Sequence, residues 1–401
     1  MNVPFFRPNI GEREIEEVVT CLRSGWLTTG PNASSFEKEF ANYVGAKYAI
    51  ALNSCTAALH LALEAVGVER GDVVVVPTMT FAATAEVVRY FDAIPAFVDC
   101  DATQCIDVDA LEEILDRLKN GQKVAGVPSD HGPVRAVIPM HYGGQMANVD
   151  EINRIAALHG IAVIEDAAHT LPAFIRKDDQ SPWRAAGTTS KLTCFSFYAN
   201  KCITTGEGGM AVTDDEKLAE RIRIMSLHGM SKDAWKRFTS AGSWYYEVVA
   251  PGFKYNITDM AAALGRVQLG RAEELWTDRK RVANEYRQRL ASIPGLELPT
   301  ELPDRRHSWH LFSLRLDLSV WRTGRDAFMD GLKQRGIGAS VHWMPLHMQP
   351  YYRDKYGLEP SDYPTAASLW PRLVSLPIFP GMKDEELAAV VSAIGAMAAE
   401  L

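Results

Sequence analysis

The sequence predicts an α/β protein: a large unit on a mostly parallel seven-stranded sheet flanked by helices, followed by a smaller α+β unit. Three observations carry this. The chain has 401 residues, too many for one hydrophobic core and suited to a large domain plus a smaller one. Apolar runs alternate with amphipathic segments up to residue 166, the alternation that builds parallel sheets. A short connection, residues 199–208, then joins two strand-like runs without room for a helical crossover, so that pair runs antiparallel. No Gly-x-Gly-x-x-Gly opens a helix after the first strand, which disfavours a dinucleotide fold.

The elements follow in order. Residues 11–24 carry Ile15, Val18, Val19 and Leu22 at helical spacing with glutamates opposite, and residues 25–31 break the helix. Residues 47–52 form a strand, 53–56 a turn and 57–66 a helix of Ala, Leu and His. A fully apolar strand at 72–76 leads through Phe81 into a helix at 82–91. Strand 96–99, helix 109–118, strand 135–139 and helix 149–159 continue the alternation. Strand 161–166 ends in acid, and 193–198 and 210–213 are the antiparallel pair. After a helix at 216–227 comes an irregular stretch, 228–258, holding Trp235, Trp244, Tyr245, Tyr246, Phe253 and Tyr255. A loop this long is functional or reaches a partner, and its aromatics favour an interface. Residues 260–290 read as one long helix linking the domains, placed at 1–263 and 264–401. Strand 309–316, helix 325–335, strand 339–342 and helix 384–399 complete the chain.

Composition narrows the function classes. The chain is 47% hydrophobic and 23% charged, ordinary for a soluble globular protein. A net charge of −8 argues against a general nucleic-acid or membrane surface, and no segment reaches the apolar length of a membrane span. The N-terminus is no signal peptide. Six cysteines show neither a CxxC pair nor metal-ligand spacing, so they are expected reduced, in the cytosol, with no metal site.

Several residues carry candidate chemistry. Lys201 opens the connection between the antiparallel strands. A lysine pinned at a strand end is desolvated, which lowers its pKa and makes it the nucleophile a Schiff base needs; alone it also reads as a surface loop lysine. The small residues around Thr56 at a helix start suit a phosphate, or a simple N-cap. Phe81 at a strand's edge stacks on a flat ring or fills core. Asp166 at the tip of a strand points into the crevice where parallel sheets bind ligands, or caps a short helix.

The flanks of Lys201 weigh between these readings. Phe195-Ser-Phe-Tyr-Ala-Asn-Lys201, followed by Gly206-Glu-Gly-Gly209, resembles the cofactor-lysine segment of fold-type-I pyridoxal-phosphate (PLP) enzymes, and more narrowly the DegT-type nucleotide-sugar aminotransferases. Glu165-Asp-Ala-Ala-His169, Tyr255-Asn256, the run 341–347 and the run 375–382 resemble the same family, over about residues 4–395. The resemblance implies that fold and a set of roles. Lys201 bonds covalently to PLP and shuttles the proton; Asp166 pairs with the pyridine nitrogen; His169 lies near the ring hydroxyl; Phe81 stacks on the ring. Thr56, Ala57 and Ser196 hold the phosphate, and Asn256 reaches it from the other subunit of a homodimer with shared sites. Trp26, Thr28, Tyr198, His310 and His342 are candidate substrate residues. Cys55 stands where relatives often carry Gly or Ala. The implied reaction moves an amino group from L-glutamate to a nucleotide-linked keto sugar, most resembling enzymes that aminate C4 of a UDP-linked sugar for glycan or lipopolysaccharide biosynthesis. PLP alternates with pyridoxamine phosphate. Rival readings are a PLP-dependent sugar dehydratase, whose relatives carry His at the position of Lys201, and a regulatory protein on the same scaffold, against which Lys201 and Asp166 both speak.

Overall fold

The computed structural model of the chain describes residues 1–231 and 246–400. Seven strands form the central sheet, in the order Tyr48–Leu52, Gly209–Thr213, Leu192–Ser196, Ala162–Asp166, Val134–Val137, Val73–Pro77, Ile94–Val98. The five neighbouring strands from Leu192–Ser196 to Ile94–Val98 pair parallel, and Gly209–Thr213 pairs antiparallel with both its neighbours. Val73–Pro77 is buried along its whole length, as a parallel strand covered on both faces must be.

Two registers place the chemistry. Asp166 pairs with Cys194, and Ser196 with Gly209, so acid, serine and hairpin glycines share one end of the sheet. Gly209 also pairs with Leu52. A Cβ at Gly209 would stand 2.3 Å from the carbonyl carbon of Ser54, so only glycine lets the hairpin lie against the start of helix Cys55–Ala65.

Helices cover both faces. On one, Leu59, Leu61 and Leu63 pack with Val87, Val88 and Ile222. On the other, Phe36 and Phe40 meet Phe195 and Phe197, with ring centroids 5.1–6.1 Å apart among the four. A three-stranded sheet, Leu296–Glu297, Phe312–Leu316 and Leu373–Leu376, builds a further core with Tyr286, Trp309 and Phe328, and Val3 of the N-terminal arm packs into it.

Four expectations need correction. Helix Pro31–Val44 was not anticipated, although Pro31 at its first turn and Gly45 at φ 85° after it are start and stop signals. The single helix expected over 260–290 is two, Asp259–Gly270 and Ala272–Leu290, broken at Arg271 (φ −106°, ψ 4°), which hydrogen-bonds Asn9 and Glu274. The strand expected at 309–316 starts at Phe312, because Trp309 sits at φ 54°, outside strand geometry. Residues 339–342 form no strand; Ser340 alone bridges to Ser375, in the unanticipated strand Leu373–Leu376. Phe253 and Tyr255 stack on each other at 5.1 Å and pack against His60 of their own chain. Trp235, Trp244 and Tyr245 lie outside the described residues. Among the described residues no helix is long and apolar enough to cross a membrane, and all six cysteines are free and buried.

Candidate active site

A cavity of about 400 Å³ opens at the end of the sheet where Asp166 and Ser196 emerge. Lys201 enters it from a tight connection: Phe197 N–H donates to Gly208 O (2.8 Å), Thr205 N–H to Phe197 O (2.9 Å) and Lys201 N–H to Tyr198 O (2.9 Å). The backbone of the lysine is therefore fixed while its half-buried side chain lines the cavity. Burial is the main reason its pKa lies below the usual lysine value; Asp166, Cys55 and Cys202 pull the other way, and Arg279 adds to the lowering.

Asp166 is 3% exposed. Its Oδ2 accepts from Thr84 Oγ1 at 2.7 Å, its Oδ1 from Ala168 N–H at 3.1 Å. Burial pushes its pKa up, against these two donors and the nearby Lys201 amine. A buried carboxylate so placed lacks a full cationic partner, which a protonated ring nitrogen supplies. Behind it, Glu165 accepts from His141 Nε2 at 2.8 Å and from Thr189 Oγ1 at 2.6 Å. Ala147 N–H donates to His141 Nδ1, which leaves the ring proton on Nε2, toward Glu165.

Helix Cys55–Ala65 starts at the cavity. Ser54 is its N-cap, accepting from Ala57 N–H at 3.0 Å, so the N-cap reading and the anion reading are both present in one turn. Ser54, Thr56 and Ser196 line the cavity, and the first N–H groups of a helix have no partner within it. Ala57 is buried just behind and does not line the wall.

Rings form the remaining walls. Phe81 lines the cavity yet is 56% exposed, an apolar face open to a planar ligand. His169 lies 4.3 Å from the His310 ring and 5.0 Å from Trp343, and its Nδ1 accepts from Gly143 N–H at 3.2 Å. That hydrogen bond requires Gly143 and Gly144 at φ 63° and 110°; a Cβ at Gly144 would meet Ser308 Oγ at 2.0 Å. Burial holds His169 and His310 well below the usual imidazole value and brings His342 to about 4, so the cavity is ringed by neutral imidazoles.

The structure thus brings Lys201, Thr56, Phe81, Asp166, His169, Ser196, Tyr198, His310 and His342 into one cavity. Trp26, Thr28 and Asn256 do not line it. Trp26 and Thr28 are exposed on the segment after the first helix. Asn256 bridges to Leu52, and its Nδ2 donates to Thr29 Oγ1 at 2.6 Å. Sequence reasoning missed Ser54, Thr84, Asn200, Glu207 and Trp343. Thr80 and Thr84, four apart at a helix start, were a readable sign of one buried polar stripe; Trp343 gave no sign beyond its place between His342 and Pro345. The set fits a flat, anionic, nitrogen-bearing ring: a nucleophilic amine, a carboxylate for the ring nitrogen, an open aromatic face and a helix start for a phosphate.

The sequence profile of the DegT/DnrJ/EryC1/StrS aminotransferase family matches residues 8–395. The spore coat polysaccharide biosynthesis protein SpsC of Bacillus subtilis is 43% identical over 394 residues, covering 98% of this chain and 96% of SpsC. Among solved structures, the "putative sugar aminotransferase Spr1654" of Streptococcus pneumoniae in its PLP form is 29% identical with a TM-score of 0.86, covering 100% of this chain and 99% of that one. S. venezuelae DesV is 30% identical with a TM-score of 0.85, covering 99% and 98%.

Proposed function

From the premise that this chain belongs to the DegT/DnrJ/EryC1/StrS aminotransferase family and is a PLP-dependent sugar aminotransferase, we propose that it moves an amino group from L-glutamate to the keto carbon, C4, of a UDP-linked keto-deoxy sugar. The observation that supports amino transfer on a bound cofactor is the convergence of Lys201 and Asp166 on one cavity beside a helix start.

Bound PLP supplies an electron sink for the carbon that loses or gains a proton. The chain's residues do the rest. Lys201 holds the cofactor covalently. Once released, its Nζ takes a proton from Cα of the donor and later returns one to the sugar carbon that receives nitrogen. Asp166, oriented by its two donors, keeps the ring nitrogen protonated. Thr56, Ser196 and the first N–H groups of helix Cys55–Ala65 hold the phosphate. Phe81, His169 and Trp343, which line the cavity, would hold the ring, with Phe81 offering the open aromatic face. Tyr198, His310 and His342 meet the sugar, whose nucleotide provides remote binding that orients the ketone.

The working unit in this proposal is a homodimer, in which Asn256, Trp26 and Thr28 complete the partner's site rather than their own. Support comes from the exposed Ile15, Leu22, Leu27, Val248 and Val249, which lie near those residues in the sequence and give apolar surface for a partner to cover. The name of SpsC supports a role in glycan synthesis. The proposed division is a cofactor-binding unit, 1–263, and a smaller unit, 264–401. The test is spectroscopic: purified protein with PLP is expected to absorb in the visible and to lose that band when L-glutamate is added. An unchanged band would contradict the glutamate donor.

A further inference from the structure

Arg279, on helix Ala272–Leu290, is 3% exposed. Its Nη1 donates to three carbonyl oxygens: Ile378 at 2.9 Å, His310 at 3.4 Å and Trp309 at 3.5 Å. Its buried Nε has no partner among the described residues. The adjacent acid, Asp278, is engaged by Arg281 at 3.0 Å. A buried guanidinium held by carbonyls alone is costly, and a hydrophobic side chain would fill the same space without that cost.

The acceptors say what the charge does. Trp309 is fully buried at φ 54°, a conformation bulky side chains avoid. The next residue, His310, lines the active-site cavity with its ring against His169. Ile378 follows the strand Leu373–Leu376. One guanidinium therefore ties the long helix, the strained turn and the segment after the last strand. Its charge also bears on the cavity: burial lowers Lys201 against the pull of Asp166, Cys55 and Cys202, with Arg279 adding to the lowering, and burial, His169, Lys201 and Arg279 lower His310. The other groups that face Lys201 are Asp166, Cys55, Cys202, His169 and His342.

We propose that Arg279 is a positioning residue of the active site. It holds the Trp309–His310 turn so that His310 lines the cavity, and it keeps a fixed positive charge next to that turn. The inference rests on the cofactor reading of the cavity.

The test compares holoenzyme of the parent, Arg279→Lys and Arg279→Gln. Lysine keeps the charge without the fork; glutamine keeps an N–H donor without the charge. The cofactor's visible absorbance is titrated against pH, and kcat and KM are measured at the parent's optimum. The midpoint of Arg279→Gln is expected to rise by about half a unit or more, and its kcat to fall about tenfold with a smaller change in KM. Arg279→Lys is expected to keep the parent's midpoint. A folded Arg279→Gln protein with the parent's midpoint and kcat would reduce Arg279 to packing. If Arg279→Gln gives no folded protein, Arg279→Lys decides: a retained midpoint supports the charge, and a raised one overturns it. A parent protein without any cofactor band would instead contradict the cofactor reading itself.

Discussion

Thr84 Oγ1 donates to Asp166 Oδ2 at 2.7 Å, both groups being buried, and Thr80 Oγ1 lies 2.6 Å from Thr84 Oγ1. Because the carboxylate only accepts, the proton of Thr84 points to Asp166 and Thr80 donates to Thr84. The acid is thus given a direction as well as a charge. Thr84→Val keeps the shape and removes the donor. Its affinity for PLP, titrated into apoprotein by absorbance, is expected to fall about tenfold, with Thr84→Ser near the parent. Equal affinity in Thr84→Val would make Thr84 ordinary core.

Asp166→Asn removes the charge that stabilises a protonated ring nitrogen while leaving the shape. Turnover is expected to fall by about two or more orders of magnitude with an unchanged melting temperature. Near-parental rates would return Asp166 to a structural cap.

Lys201→Ala removes the only lysine in the cavity wall of the described residues. No turnover is expected, with some PLP still bound through the phosphate and Asp166 contacts, measured by cofactor retained after desalting. A fully active Lys201→Ala protein would end the covalent role.

How much of this was legible follows from what each signal depends on. Residues 149–159 matched helix Val149–His159 because its apolar period and the Gly160 stop are both local. Asp166 was legible because it ends a strand, and parallel sheets gather those ends; Lys201 was legible from the short connection that follows strand Leu192–Ser196. Thr84 was not legible as a partner of Asp166: the contact spans 82 residues and depends on strand order. The break at Arg271 was hidden because Gly270 and Arg271 interrupt neither the apolar period nor the charge pattern; contacts to Asn9 and Glu14, over 250 residues away, accompany it.

Three buried histidines set an acid limit. Burial lowers His60 and His347 to about 4 and His307 to about 3. Below about pH 6.5 the unfolded chain takes up protons that the folded chain refuses, so their contribution to stability is complete above that value and is lost as pH falls toward 4. Each contributes a slope of up to about 1.4 kcal/mol per pH unit in that window. The melting temperature is expected to drop steadily from about pH 6.5 to about 4.5, and a flat profile there would show that these imidazoles titrate normally.

Mixing inactive Lys201→Ala protein with weakened Asn256→Ala protein, under conditions that exchange subunits, tests the shared site. Each mixed dimer regains one intact site, so activity is expected to rise well above either parent. No recovery despite demonstrated exchange, or a fully active monomer by sedimentation, would return Asn256 to a loop residue.

The most direct measurement supplies the protein, PLP and L-glutamate with UDP-, dTDP- and GDP-linked 4-keto sugars and follows each product by mass. The account predicts a product in which an amine replaces the keto oxygen, formed fastest from a UDP-linked sugar. A product that has lost a hydroxyl without gaining nitrogen, or no product from any keto sugar, would contradict it.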